Sequence, residues 1–204
     1  MVLETDISKD NKELSEITGA YIPDILDDNA PAQVVYDPNY AIVMANAMIK
    51  GRMAMNIRES KIFRLLISQV QPDDTEFKVF QISLNTLAKI LCIGSVQSLR
   101  RDIRQIVSNL LSQQVWIHNS ENLNNWKAFA LLQVCESDGT YIKFQLSDQL
   151  KPYLTQLTSE YTQYPTYLLG KFTSTYALRI YELLQMAYAR YYKKKYQYRV
   201  SIDE

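Results

Sequence analysis

The sequence predicts an α+β fold, mainly helical: a winged helix, meaning a helix-turn-helix followed by a β-hairpin, with a long C-terminal helix. Three observations carry this. Apolar residues recur at helical spacing over Leu84–Leu91 and again over Ser95–Ser112, and the two segments are joined by the short turn Cys92-Ile93-Gly94. Strand-like segments follow, Val115–His118, Trp126–Val134 and Tyr141–Leu146, with Ser137-Asp138-Gly139 as a hairpin turn. Residues 165–193 then give a long helical pattern.

Each element has a local cause. Residues 1–33 are acidic and poor in aromatics and read as a largely disordered leader; order starts near Val34-Val35-Tyr36. Asp37-Pro38-Asn39 is a turn and cap signal, and Ala41, Met44, Ala45 and Met48 suit a helix stopped by Gly51. Asn56 can cap the next helix, Ile57–Val70, with Ile62, Phe63, Leu65, Leu66, Ile67 and Val70 on its buried face and Gln71-Pro72-Asp73-Asp74 after it. The alternation of Phe77–Ile82 marks a short strand, and Ser83 can cap the helix after it. Ser147 can cap a further helix, Asp148–Leu157. The organisation expected is therefore a leader (1–33), a winged-helix domain (34–163), a long basic-ended helix packed on it (164–195), and the opening of a second winged-helix domain (196–204).

With 204 residues the chain is long enough to bury a sizeable core. No apolar run approaches the roughly 20 residues of a spanning helix, and the acidic start does not resemble a secretory signal, so a cytoplasmic protein without a membrane role is expected. Cys92 and Cys135 lie far apart and His118 is the sole histidine, which gives no zinc spacing; two buried free thiols are the expectation, with no metal and no cofactor. Formal net charge is zero, but residues 1–30 hold eight acidic groups against Lys9 and Lys12, a balance of −6, so the remainder of the chain carries +6. A basic body suits a polyanionic partner.

Three constellations bear on that partner. On the helix Ser95–Ser112, Val96, Leu99, Ile103, Ile106, Val107, Leu110 and Leu111 share one face, while Arg100, Arg101 and Arg104 lie to the other side with Gln97 and Ser98 one turn earlier. A recognition helix has this form, an apolar back and a front of arginine and small polar groups reaching phosphates or base edges; an ordinary surface helix with solvated arginines has it too. The ribbon Trp116–Leu146 can touch a nucleic-acid backbone through Lys127 or Lys143, or lend an edge strand to a partner; Trp116 and Trp126 can equally pack in the core or on each other. Arg190-Tyr-Tyr-Lys-Lys-Lys195 places Lys193, Lys194 and Lys195 at a helix C-terminus, where the helix dipole favours them and where they can also track phosphates.

Fifteen tyrosines crowd toward the C-terminal part, and Tyr176, Tyr181 and Tyr188 suit a core or an interface. Tyrosine-based nicking normally needs a metal held by histidines or carboxylates, and no His-x-His pair exists; nor is there a Gly-x-x-x-x-Gly-Lys-Ser/Thr phosphate loop. A non-enzymatic protein is expected.

The succession Tyr167-Leu-Leu-Gly-Lys-Phe, then Ser174-Thr-Tyr-Ala-Leu-Arg-Ile-Tyr-Glu-Leu-Leu184, then a basic tail and Val200-Ser-Ile-Asp-Glu204, resembles the replication initiator proteins of iteron-containing theta plasmids. Ala47-Met-Ile, Met53-Ala-Met-Asn56 and Lys61-Ile-Phe-Arg-Leu-Leu66 resemble that family's opening helices, so the likeness spans roughly residues 34–204. It implies two tandem winged-helix domains, the second reading the iteron and the first supplying dimerisation, largely through its β-hairpin region, and accessory DNA contacts. On this reading the chain is the first domain, ending as the second begins, with double-stranded plasmid origin DNA, a second copy and host replication proteins as partners and copy control as a consequence. Gln97, Ser98, Arg100, Arg101, Arg104, Lys127, Lys143, Lys193, Lys194 and Lys195 are the expected DNA contacts, and Trp116, Trp126, Phe129 and Leu131 the expected dimer interface. Two rivals stay open: a winged-helix repressor binding a palindromic operator as a dimer, and a protein-interaction module with no DNA role.

Overall fold

A computed structural model of the chain describes residues 31–118, 122 and 124–194. In chain order the elements are β1 (Ala32–Gln33), β2 (Ala41–Ala45), α1 (Asn46–Lys50), α2 (Ile57–Ile67), β3 (Phe80–Ser83), α3 (Leu84–Ile90), α4 (Val96–Ser112), β4 (Gln114–His118), β5 (Trp126–Ala130), β6 (Leu132–Ser137), β7 (Tyr141–Leu146), α5 (Lys151–Leu154), β8 (Tyr161–Pro165) and α6 (Thr175–Lys194). Three-ten turns precede α5 (Asp148–Leu150) and α6 (Thr166–Gly170).

The winged helix expected from the sequence is present. A four-stranded sheet runs β1-β3-β7-β6, and α3–α4 sit between its second and fourth strands in the chain. Beside it are two separate ribbons, β2 with β8 and β4 with β5. One apolar core joins them, with α2 at its centre: Glu59 to Ser68 are all buried. Its start is fixed by a capping box, in which Asn56 accepts from the Arg58 and Glu59 amides and Glu59 accepts from the Asn56 amide.

Four expectations fail, each for a reason outside the local pattern. Ala41–Ala45 is a strand, not a helix. Ile42 and Met44 point inward while their neighbours do not, and the strand is completed by pairing Ile42 with Tyr164 and Met44 with Thr162. The helix there is only Asn46–Lys50. The segment Trp126–Val134 is not one strand. Leu131 turns inward, its amide donates to Gln113 O at 3.2 Å and its carbonyl accepts from Ser147 N at 3.1 Å. The ribbon Trp116–Leu146 is thereby split into β4–β5 and β6–β7, which belong to different sheets. The helix expected over Asp148–Leu157 stops at Leu154, where Thr155 is extended and Gln156 turns left-handed (φ 53°). The long helix starts at Thr175, capped by Ser174 Oγ accepting from Ala177 N at 3.1 Å, not at 165.

A smaller difference concerns the thiols. Cys135 is half-buried, and Cys92 is exposed. It holds the left-handed conformation (φ 56°) in the turn between α3 and α4, a conformation that ordinarily favours glycine and that Gly94 does not adopt. No helix among the described residues is long and apolar enough to cross a membrane.

Candidate nucleic-acid interface

Ser83 starts α3 by accepting from Thr86 N at 3.1 Å, and Ser95 starts α4 by accepting from Ser98 N at 3.2 Å. Between them Leu91 N and Ile93 N close onto Leu87 O and Ala88 O, both at 2.9 Å. The turn is tight, and α4 leaves it anchored through buried Leu99, Ile103, Ile106 and Leu110. Val96 and Val107 complete this back only partly, and Leu111 is exposed rather than part of it.

The front of α4 carries Gln97, Arg100, Arg101 and Arg104, all exposed, with Ser98 half-buried. Ser98 Oγ accepts from Arg101 Nη2 at 3.3 Å. The helix has one carboxylate, Asp102, and it is occupied by Arg58 of α2 at 2.8 Å. Glu59, the nearest acid of α2, is buried and accepts from Asn109 Nδ2 at 2.8 Å, which ties the start of α2 to the second half of α4. The three arginines therefore face solvent with the local acids already engaged, an arrangement able to neutralise phosphates.

The wing is β6–β7. Its tip is not basic: Asp138 Oδ1 accepts from Thr140 N at 2.8 Å and Tyr141 N at 2.7 Å, and Gly139 takes φ 86°. Lys143 lies in the middle of the sheet, half-buried, opposite Glu136 on one side and Gln81 on the other. Lys127 is exposed but sits on β5 opposite Ile117. The structure thus does not bring Lys127 and Lys143 onto one ribbon. Lys193 and Lys194 end α6 with side chains outside the described residues, and Lys195 lies outside them altogether.

On the β4–β5 ribbon, Trp116 and Trp126 pack on each other with ring centroids 4.8 Å apart, yet remain 37% and 51% exposed. Phe129 is half-buried and stacks on Tyr153 at 5.3 Å. Leu131 is fully buried in the core, so it cannot meet a partner without unfolding. The ribbon is joined to the body by Arg52, whose amide and carbonyl bond to Trp116 O and N at 2.9 and 3.0 Å. Gly51 beside it has no room for a side chain: a Cβ would stand 2.9 Å from Val115 Cγ2.

Sequence reasoning missed a buried polar cluster under α6. Arg64 of α2 donates to Glu182 twice, Nε to Oε1 at 2.7 Å and Nη2 to Oε2 at 2.9 Å, and the Tyr164 hydroxyl donates to Oε1 at 2.5 Å. Arg179 stands 3.6 Å from Oε2 and donates through Nη2 to Gly51 O at 3.1 Å. Burial alone would raise the Glu182 carboxyl, but the Arg64 charge, the two donors and Arg179 together hold it below its ordinary value. Burial and the neighbouring carboxylate push the Tyr164 hydroxyl well up, and burial draws Arg179 down. Alternation of Arg179 and Glu182 with apolar residues was the available signal, but it resembles any surface helix until the partner Arg64, 118 residues away, is known. Of the tyrosines, Tyr181 is half-buried against Tyr164 and Phe172, whereas Tyr176 and Tyr188 are exposed. Among the described residues no group of three or more His, Cys, Asp or Glu side chains could hold a metal ion.

No curated protein matches the chain. Among solved structures, the Pi initiator protein in complex with iteron DNA is similar in fold, with a TM-score of 0.57 at 14% identity over 75% of this chain. The match covers 66% of that chain, just under two thirds of its length. The family model described as initiator replication protein, WH1, matches residues 41–185. These residues include both ribbons, the helix-turn-helix, the wing and most of α6, and the chain belongs to the family of initiator replication proteins through this WH1 domain.

Proposed function

We propose that this chain serves a plasmid replication initiator as its first winged-helix domain, which contacts double-stranded origin DNA of iteron type and joins a second copy, without catalysing a reaction, in the cytoplasm. The observation that carries the proposal is the exposed face of α4, with Arg100, Arg101 and Arg104 on the second helix of a helix-turn-helix and the adjacent acids Asp102 and Glu59 both engaged. The Pi initiator protein, similar in fold, has been solved with iteron DNA. The arginines position the domain on phosphates, and Gln97 and Ser98 lie where the helix N-terminus meets base edges. Lys127 and the lysines 193–195 add charge at the periphery. Lys143, opposite Glu136, contributes least.

Self-association fits the β4–β5 ribbon. Among the described residues no strand pairs with the outer edge of β5, and the exposed Trp116–Trp126 pair lies on the same ribbon. An edge strand of this kind accepts a second strand. Host replication proteins remain partners of the whole initiator.

Binding of the full chain to three duplexes tests the reading: one with direct repeats from the origin, one with an inverted repeat, and one of random sequence. Preference for the direct repeats supports an initiator. Preference for the inverted repeat points to a repressor, and no retention on any duplex or on heparin at low salt points to a domain without a DNA role.

A further inference from the structure

The solvent face of α6 is apolar along most of its length. Tyr176 is 82% exposed, and Ile180, Leu184 and Tyr188 are each 56% exposed. The four recur at intervals of four residues, a stripe about 18 Å long at 1.5 Å per residue. Between Tyr176 and Ala189 the only charged residues are Arg179 and Glu182, and both are turned into the buried cluster. An outward helix face is normally the polar one, and a contiguous row of large apolar groups on it marks an interaction surface. Past the stripe the chain turns basic, with Arg190, Lys193, Lys194 and Lys195.

We propose that this stripe docks the acidic leader of the same chain. Residues 14–28 carry both chemistries that the helix offers. Leu14, Ile17, Tyr21, Ile22, Ile25 and Leu26 supply apolar groups, and of the acids Glu16, Asp24, Asp27 and Asp28 three fall in the last five residues. Laid parallel to α6, the leader sets its apolar groups on Tyr176–Tyr188 and its carboxylates beside the basic end. Residues 1–30 carry −6, opposite in sign to the rest of the chain, which screens this helix end from other polyanions while the leader is docked. Tethering supports the contact: a segment of the same chain meets its site at a raised effective concentration, so a modest apolar contact is populated without a tight intrinsic affinity. Unlike the DNA contact proposed for α4, this one requires no DNA.

The test is photo-crosslinking of the full chain with p-benzoylphenylalanine in place of Ile180, an exposed position. Mixing isotopically light and heavy chains and mapping the crosslinked peptides by mass spectrometry separates the occupants. Crosslinks from position 180 to residues 13–28 within one chain are expected. The double variant Ile17→Glu, Ile22→Glu should lower their yield about tenfold or more, since each lost apolar contact is worth on the order of 1.4 kcal/mol, a factor of ten. Mixed light–heavy crosslinks between two α6 helices would overturn the proposal in favour of a second copy. Absence of leader crosslinks, or a yield that the double variant leaves unchanged, would overturn it as well.

Discussion

Arg64 and Glu182, 118 residues apart in sequence, form a two-point ion pair in which both side chains are almost wholly buried (1% and 0% exposed). The pair locks α6 to the central helix α2, and Tyr164 brings β8 into the same bond network. Through Arg179 and Gly51 O it also reaches the base of the β4–β5 ribbon.

Breaking one side of such a pair leaves a buried charge unmatched. Glu182→Leu should lower stability by about 3–5 kcal/mol, measured by urea unfolding. The double variant Arg64→Met, Glu182→Leu should regain most of that loss, because two buried charges are then replaced by apolar groups. A double variant as unstable as the single one would show that the pair is not the source of the cost.

The same cluster sets the pH range of stability. Glu182 has a folded value below its unfolded one, near 4.5, so its contribution is complete above about pH 4.5 and is lost as the pH falls through the lower folded value. Tyr164 is raised above its ordinary value of 10.0, so the folded state holds that proton more tightly, and stability falls as the pH rises past about 10. Urea midpoints should therefore drop on both sides of a neutral plateau. In Tyr164→Phe the alkaline slope should weaken, at a cost of about 1.5–3 kcal/mol for the lost hydrogen bond to a charged group, while Glu182 Oε1 keeps its bond from Arg64 Nε. An unchanged alkaline slope in that variant would place its origin elsewhere.

The two thiols should differ in reactivity. Burial, with the charge of Glu136, pushes Cys135 up to about 12, whereas Cys92 is exposed in its turn. Iodoacetamide at neutral pH should label Cys92 alone, as read by peptide mass. Labelling of Cys135 first would contradict the burial described for it.

What was legible in the sequence follows the range of the forces involved. Ser83, Ser95 and Asn56 announce their helices because a cap acts within four residues, and α4 is readable because its back and front alternate at the helical period. β2 is ambiguous in the sequence because Ala41, Met44 and Ala45 satisfy a helical stripe as well as a strand; only pairing with Tyr161–Pro165, some 120 residues on, decides between them. Leu131 suits an interface by residue type, yet it is the inward corner where the ribbon divides. The exposed side of α4 that holds Arg100, Arg101 and Arg104 is legible from the helical period, whereas the scattering of Lys127 and Lys143 onto different sheets depends on that same corner.

That corner also changes how the proposed self-association through the β4–β5 ribbon is probed. Trp126→Glu, on the exposed part of β5, should give a folded monomer by light scattering and circular dichroism. Leu131→Glu should instead unfold the domain, since it buries a charge where a leucine was fully enclosed. A Trp126→Glu protein that stays dimeric would move the interface away from this ribbon.

The most direct test of the central claim is the salt dependence of duplex binding for the full chain and for Arg100→Ala, Arg104→Ala. Each phosphate contact contributes close to 0.9 to the slope of log K against log salt. The double variant, folded to the same thermal midpoint, should bind more weakly and lose up to about two units of slope. Equal affinity and equal slope in the two proteins would contradict the assignment of the α4 face to DNA.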